Sequence, residues 1–339
     1  MTHLLARRIF ALLPVLLGVL LAGFLLTRLL PGDPAVAFAN APGADAATAA
    51  ALRAELGVDQ PLWRQFGQYL GRLARGDLGQ SVSTGQPVAA ELLRRLPASA
   101  ELVLAGLGLA LAAAVPLGVL AALRPGRWPD RLCRWLAVLG LSLPVFVSGL
   151  LLIELFYLRL GWAPEPIGRL GPFDLPPPRM TGLHTLDAML AGNGAGLAAA
   201  LRQLALPATA MALFAFAPLA RTVRGAMLGV LGSAFVRTAR AAGLRRRTVL
   251  LAYAARNAAP PVLTVLGLVF ANLLGANVLV EQVFAWPGIG SYALGALLAL
   301  DYAPVQGFLL LVAVLAAAVN LAVDLLCAWL DPRLAAADG

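Results

Sequence analysis

The sequence predicts an all-α polytopic membrane protein. Of its 339 residues, 60% are hydrophobic and 13% charged, and the mean hydropathy is +0.82. A soluble domain of this length carries roughly 25% charged residues. Several apolar runs reach the ~20 residues with which a helix crosses a bilayer. Those runs are solidly apolar and lack the alternation of barrel strands, which excludes a closed β-barrel.

Six spans fall near residues 9–30, 99–123, 133–158, 201–222, 261–283 and 305–329. The first is not a cleaved signal. Its apolar run from Ile9 to Leu30 exceeds the ~7–15 residues of a signal core, and the nearest small-x-small site, Ala39-Asn40-Ala41, lies well beyond it. The following segment has helical spacing in DAATAAALRAELG (45–57), broken at Asp59-Gln60-Pro61. Leu62, Phe66, Tyr69, Leu70 and Leu73 then recur at helical intervals, and Gly76, Asp77 and Gly79 end that helix. The two helices form a small cap. The Pro/Gly-rich segment 160–200 shows no regular structure beyond a turn of helix near 184–191. Pro144, Pro207 and Pro218 interrupt spans three and four, either as kinks around a path or as breaks satisfied by neighbours. Gly267 and Gly275 allow close packing of span five. FAWPGIG (284–290) turns at Pro287-Gly288; Phe284, Trp286 and Ile289 suit the outer interface, and the alternative is a re-entrant or interfacial loop without chemistry.

Orientation follows from arginine, because all 26 basic residues are Arg. Arg7 and Arg8 precede the first span, and Arg124, Arg127, Arg131 and Arg134 surround the loop between spans two and three. Eight more run from the end of span four, at Arg221, to Arg256 before span five, and none lies between five and six. Positive-inside logic puts both termini and the two Arg-rich loops in the cytoplasm. The six Arg of 31–98 do not overturn this, because loops beyond ~60 residues translocate largely regardless of charge.

The same composition limits chemistry. Without Lys there is no Walker A loop, so any ATP-driven work needs another polypeptide. Cys133 and Cys327 are far apart and only His3 and His184 occur, which argues against a disulfide framework or a Cys/His metal site. Both Cys read as small packing residues. No H-E-x-x-H or G-x-S-x-G appears, no catalytic residue is assigned, and Arg75-Gly76-Asp77 merely ends a helix. The expected surroundings are a lipid bilayer and protein partners, not nucleic acid.

Two groups of residues remain. FVRTARAAGLRRRTVLLAYAARNAAPP (235–261) is basic, Ala-rich and free of acid, yet lies between apolar spans. Phe235, Ala239 and Ala242 share one helical face, and Val236, Ala239 and Gly243 an adjacent one. Such a small face permits close approach of a partner, while Arg237, Arg240 and Arg245–Arg247 suit carboxylates or lipid phosphates. The plain alternative is a juxtamembrane loop that only sets topology. The second group is polar and within spans: Glu154, Asn272, Asn277, Asn320 and Asp324. Such groups line an aqueous path or tie helices together; Asn272, Asn277 and Glu154 are the path candidates.

At this point the residues carry a family resemblance over nearly the whole chain. ARRIFALLPVLLGVLLAGFLLTRLLPGDPA (6–35), ELGVDQPLW (55–63), RGDLGQS (75–81), LLRRLPASAEL (92–102), FVRTARAAG with RNAAPPVLTVLGL (256–268), FAWPGIG, DYAPVQG (301–307) and NLAVDLLCAWLDPR (320–333) come in order. They resemble the inner-membrane permease subunits of bacterial ABC importers, in the dipeptide/oligopeptide/nickel branch. The resemblance implies a type I importer permease fold with a cytoplasmic coupling helix. It also implies a homologous second permease, two cytoplasmic ATPase subunits that bind ATP and Mg, and a periplasmic substrate-binding protein. Residues 1–94 would be the first span plus cap, 95–330 the transmembrane core with a coupling loop at about 223–260, and 331–339 a short cytoplasmic tail. Arg237, Thr238, Ala239, Arg240, Ala242, Gly243 and Arg245 fall on the coupling motif. Arg237-Thr238-Ala239 stands where the broader importer pattern has Glu-Ala-Ala, and Pro260 and Pro261 come later than its spacing. Small peptides are the expected cargo, with nickel or another small solute as the alternative on the same scaffold. An ion-coupled secondary transporter is the rival class; it would favour repeated halves and midplane charges.

Overall fold

The computed structural model describes residues 2–29 and 60–330, and within them the chain is helical. Among the described residues, four helices are long and apolar enough to cross a membrane, or five if one bent pair counts as a single span. The PGDP stretch, the 45–57 helix and the C-terminal tail from 331 lie outside the described residues. Two compact units are distinguished: one holds residues 2–29, 60–99 and Pro287–Leu315, the other Ala100–Trp286 and residues 316–330.

The first unit contains helix α1 (Thr2–Leu29) and helix α2 (Leu62–Leu73). Pro61 starts α2, and left-handed Gly76 and Gly79 follow its end. Phe24 on α1 meets Phe66 and Tyr69 on α2, with ring centroids 5.3 and 6.1 Å away. Burial pushes the Tyr69 pKa up to about 12. Gln65 is also buried, where periodicity assigned only apolar residues to that face. Its amide is satisfied: Arg28 Nε donates to Oε1 at 2.8 Å, and its own Nε2 donates to the Gln60 carbonyl.

Helix α3 (Val88–Leu123) begins well before the expected 99 and contributes to both units. Buried Glu91 in its first turn accepts from Thr84 Oγ1 and faces Arg94 at 3.5 Å. Val88 and Leu92 pack with Ile289 and Tyr292. The latter two belong to helix α10 (Ile289–Leu298), where only a loop is expected from sequence. Ser99 Oγ accepts the Ile289 N–H at 2.8 Å, satisfying one donor of its first turn. Asp301 then accepts from Ser81 Oγ at 2.7 Å and Ser83 N–H at 3.0 Å, which ties residues 81–83 to the start of helix α11 (Tyr302–Leu330).

In the second unit the expected third span is broken. Helix α4 (Trp128–Ser142) and helix α5 (Val145–Leu152), continued as π-helix over Ile153–Arg159, meet at 103°. Pro144 has no N–H to give and forces its predecessor out of helical dihedrals; Leu143 has ψ 129°. Pro207 and Pro218 break nothing: helix α7 (Gly194–Leu231) runs through both. It starts inside a segment read as irregular, because the Asn193 side chain accepts the Gly196 N–H and caps it. α7 is the core of this unit. Gly106 and Gly118 on α3, and Gly140 on α4, lie where a Cβ would collide with α7. Such absent side chains let helix backbones approach closely.

The 160–193 segment is irregular but organised around two buried carboxylates. Glu101 accepts from Nε and Nη2 of Arg169 and from the N–H and hydroxyl of Thr185, the last two at 2.7 Å. Asp187, on helix α6 (His184–Leu190), accepts from Thr181 and Gly182. Burial works against that carboxylate's charge, yet those hydrogen bonds outweigh it and hold its pKa below the ordinary value. In FAWPGIG, Phe284, Trp286 and Ile289 are all buried within the protein.

Candidate functional site

The basic segment between α7 and the next long helix folds into a short helix, α8 (Ala234–Ala241). Ser233 precedes it in extended conformation, its hydroxyl bonded back to the Val230 carbonyl. Three further features end α8. Leu244 N–H returns to the Ala239 carbonyl, Gly243 N–H returns to Arg240, and Gly243 has φ +75°. This is a Schellman close, in which the left-handed residue favours glycine. Helix α9 (Arg246–Val283) then starts, with a π-helical stretch at Val249–Ala255.

α8 is amphipathic, and its apolar face is used internally. Val236 and Ala239 are buried against Val249, with Val230 beside them. Ala239, read from sequence as part of a docking face, therefore packs on its own chain. Phe235, Arg237, Thr238, Arg240, Ala242, Gly243 and Arg245 are exposed. Around Gly243 a Cβ meets nothing within 4 Å, so its requirement is conformational and not one of space. No acidic residue occurs between Asp187 and Glu281, leaving the exposed face cationic.

The polar residues within spans do not converge. Asn272 is exposed on α9, in a stripe with Thr264, Leu268, Gly275, Leu279 and Gln282. Asn277 is buried and donates to Glu281 one turn on. Glu154 pairs with Arg159 at 2.9 Å at the end of α5, with about half its side chain exposed. Gly267 does allow close packing, since a Cβ there would meet Asn320 Oδ1 at 2.8 Å, whereas Gly275 faces open space. Sequence reasoning missed Glu281, which is fully buried; its i,i+4 spacing from Asn277 was the available signal. It also missed Asp130, buried at the start of α4, which accepts from Arg224 Nε at 2.6 Å and from the Gly126 N–H at 2.8 Å.

These features define a polytopic helical membrane protein that presents a cationic helix between two long apolar ones. Residues 114–336 match the family described as binding-protein-dependent transport system inner membrane component, and residues 1–103 match its N-terminal counterpart. The chain belongs to that family, whose members are transport components and not enzymes. It is 44% identical over 99% of its length to a probable D,D-dipeptide transport system permease protein, DdpB, of Escherichia coli K12, covering 98% of that protein. It is 41% identical to the di/tripeptide transport system permease DppB of Pseudomonas aeruginosa, over 98% of this chain and 99% of the relative. The dipeptide permease DppB of Alkalihalophilus pseudofirmus is 37% identical, over 97% and 98%.

Proposed function

We propose that the chain is a permease subunit of an ATP-driven importer of short peptides, working in the bacterial inner membrane with six spans and both termini in the cytoplasm. The observation that carries the reading is α8, an exposed, acid-free cationic helix set between α7 and α9. The full-length likeness to proteins named as dipeptide permeases supports the cargo. Residues 1–94 supply the first span and outer cap, 95–330 the translocating core, and 331–339 a cytoplasmic tail. A periplasmic binding protein delivers the peptide, and a homologous second permease completes the path. Two ATPase subunits, which carry ATP and Mg, dock on the coupling loop and move it on ATP binding. Phe235, Arg237, Thr238, Arg240, Ala242 and Arg245 make that contact, and Gly243 shapes it. Buried Ala239 holds the helix in place.

The α9 stripe around Asn272 faces the second permease or the path, because an amide side chain left in lipid goes unpaired at a cost. Asn277 and Glu154 remain path candidates of a different kind. Asn277 acts through its bond to Glu281, and Glu154 at the outer end of α5 through Arg159.

Three experiments test the reading. With Cys133 and Cys327 replaced, Gln68→Cys is labelled by an impermeant thiol reagent from the periplasm, and Arg245→Cys only after the membrane is opened. The reverse pattern ends the topology. In a peptide auxotroph without a redundant importer, deleting the chain abolishes growth on di- to hexapeptides carrying the required amino acid. Unchanged growth on all of them rejects peptide cargo. Uptake that is lost with the proton gradient but indifferent to ATP would return the chain to the ion-coupled class.

A further inference from the structure

We infer that a cleft beside α8 binds one anionic phospholipid by its phosphate. The cleft encloses about 490 Å³, within the ~300–1,000 Å³ typical of small-molecule sites. Leu123 at the end of α3, Leu231 at the end of α7, Leu244, and Leu250 on α9 give it an apolar floor, and Arg240 and Arg246 stand at its edge. Both arginines are exposed. Neither guanidinium has a hydrogen-bond or ion-pair partner among the described residues. Asp130, the carboxylate in the first turn of α4, is committed to Arg224 and Gly126.

Two unpaired guanidiniums over leucines fit a molecule with an anionic head and an apolar tail. A carboxylate on a docked protein, or a free phosphate, would satisfy the arginines and leave the floor uncovered. Guanidinium suits phosphate because its planar fork gives two parallel donors. The position agrees as well. Leu123, which lines the cleft, is the last residue of the second expected span, so that wall stands at the membrane edge on the Arg-rich side, where inner leaflets carry anionic lipid. The site shares Arg240 with the proposed coupling contact but not Phe235, Arg237 or Thr238, which do not line it.

The test uses the full-length chain, purified in detergent and stripped of lipid. It is titrated with dioleoyl phosphatidylglycerol, dioleoyl phosphatidylcholine or inorganic phosphate, and binding is read by native mass spectrometry. One phosphatidylglycerol per chain is retained at concentrations where phosphatidylcholine is not. Arg246→Gln weakens retention about fivefold, and the double change with Arg240→Gln about 25-fold, at ~1 kcal/mol per basic residue beside anionic lipid. Arg246→Lys keeps the charge but loses the paired donors, and retains the lipid better than Arg246→Gln but less well than the unaltered chain. Leu250→Trp fills the floor and removes lipid with both charges in place. Equal retention of the two lipids by the unaltered chain overturns the inference, as does full retention by the double variant. Inorganic phosphate that displaces the lipid, and still binds after Leu250→Trp, assigns the arginines to a free anion and overturns the lipid site.

Discussion

Replacing Asp130 with Ala destabilises the folded chain by about 3 kcal/mol, the lower end of the cost of breaking a buried ion pair by removing one partner. The lower end applies because the Arg224 side chain is 27% exposed and recovers some hydration once freed, whereas Asp130 is almost wholly enclosed. The carboxylate does two jobs. It accepts the Gly126 N–H at 2.8 Å, closing the turn between α3 and α4, and the Arg224 Nε at 2.6 Å, fastening that turn to α7. Arg134, 60% exposed and 3.4 Å away, adds little. Unfolding titrated with SDS in mixed lipid-detergent micelles reads the loss. Asp130→Ala, Arg224→Ala and the double variant form a cycle with a coupling of about 1–3 kcal/mol. Additive effects would mean that the pair seen at 2.6 Å contributes nothing to stability.

The other large effect is functional. Gly243→Val leaves the membrane helices folded and abolishes ATPase association and peptide uptake. A β-branched residue at φ +75° is a conformational outlier, and left-handed backbone costs an ordinary residue roughly 1–2 kcal/mol. That exceeds what the last turn of an eight-residue helix can absorb. The end of α8 unwinds, and Arg240 and Arg245 lose their relative placement. Because a Cβ at Gly243 meets nothing within 4 Å, the effect is conformational. Gly243→Ala is therefore impaired despite its small size, and Gly243→Asn, which tolerates left-handed backbone, is the mildest. Gly243→Trp additionally places bulk on the docking face and loses association even where the turn survives. Co-purification of the ATPase subunits and uptake are measured together. Full association and full transport in both Gly243→Val and Gly243→Trp would remove α8 from the coupling role.

Much of the helical framework was legible in the sequence, since a helix that crosses a bilayer must be a run of about 20 apolar residues and such runs are visible without contacts. The turn signals around α2 were equally readable, as Pro61, Gly76 and Gly79 act through their own backbones. The cationic character of the 235–247 segment needed only composition. Gly243 was visible on the small face and the coupling motif, but its left-handed conformation was not.

What tertiary structure decided lies wherever two distant segments had to meet. Pro144, Pro207 and Pro218 are alike in sequence, yet only Pro144 breaks its helix, while α7 continues through the other two. Ala239 has the small size of a docking residue and the same size as a packing residue; the position of Val249 beside it chose the second. The FAWPGIG aromatics suit a membrane interface or a core, and packing placed them in the core. Asp130 and Arg224 stand 94 residues apart. Periodicity reports which face of a helix is apolar, but not which partner covers it. Hydrophobic pattern and local backbone preference are properties of neighbours in the chain, and so the sequence alone marked the long apolar runs and the turns around α2. Burial, ion-pair choice and the fate of each proline depend on which groups the fold brings together, and only the tertiary structure settles those.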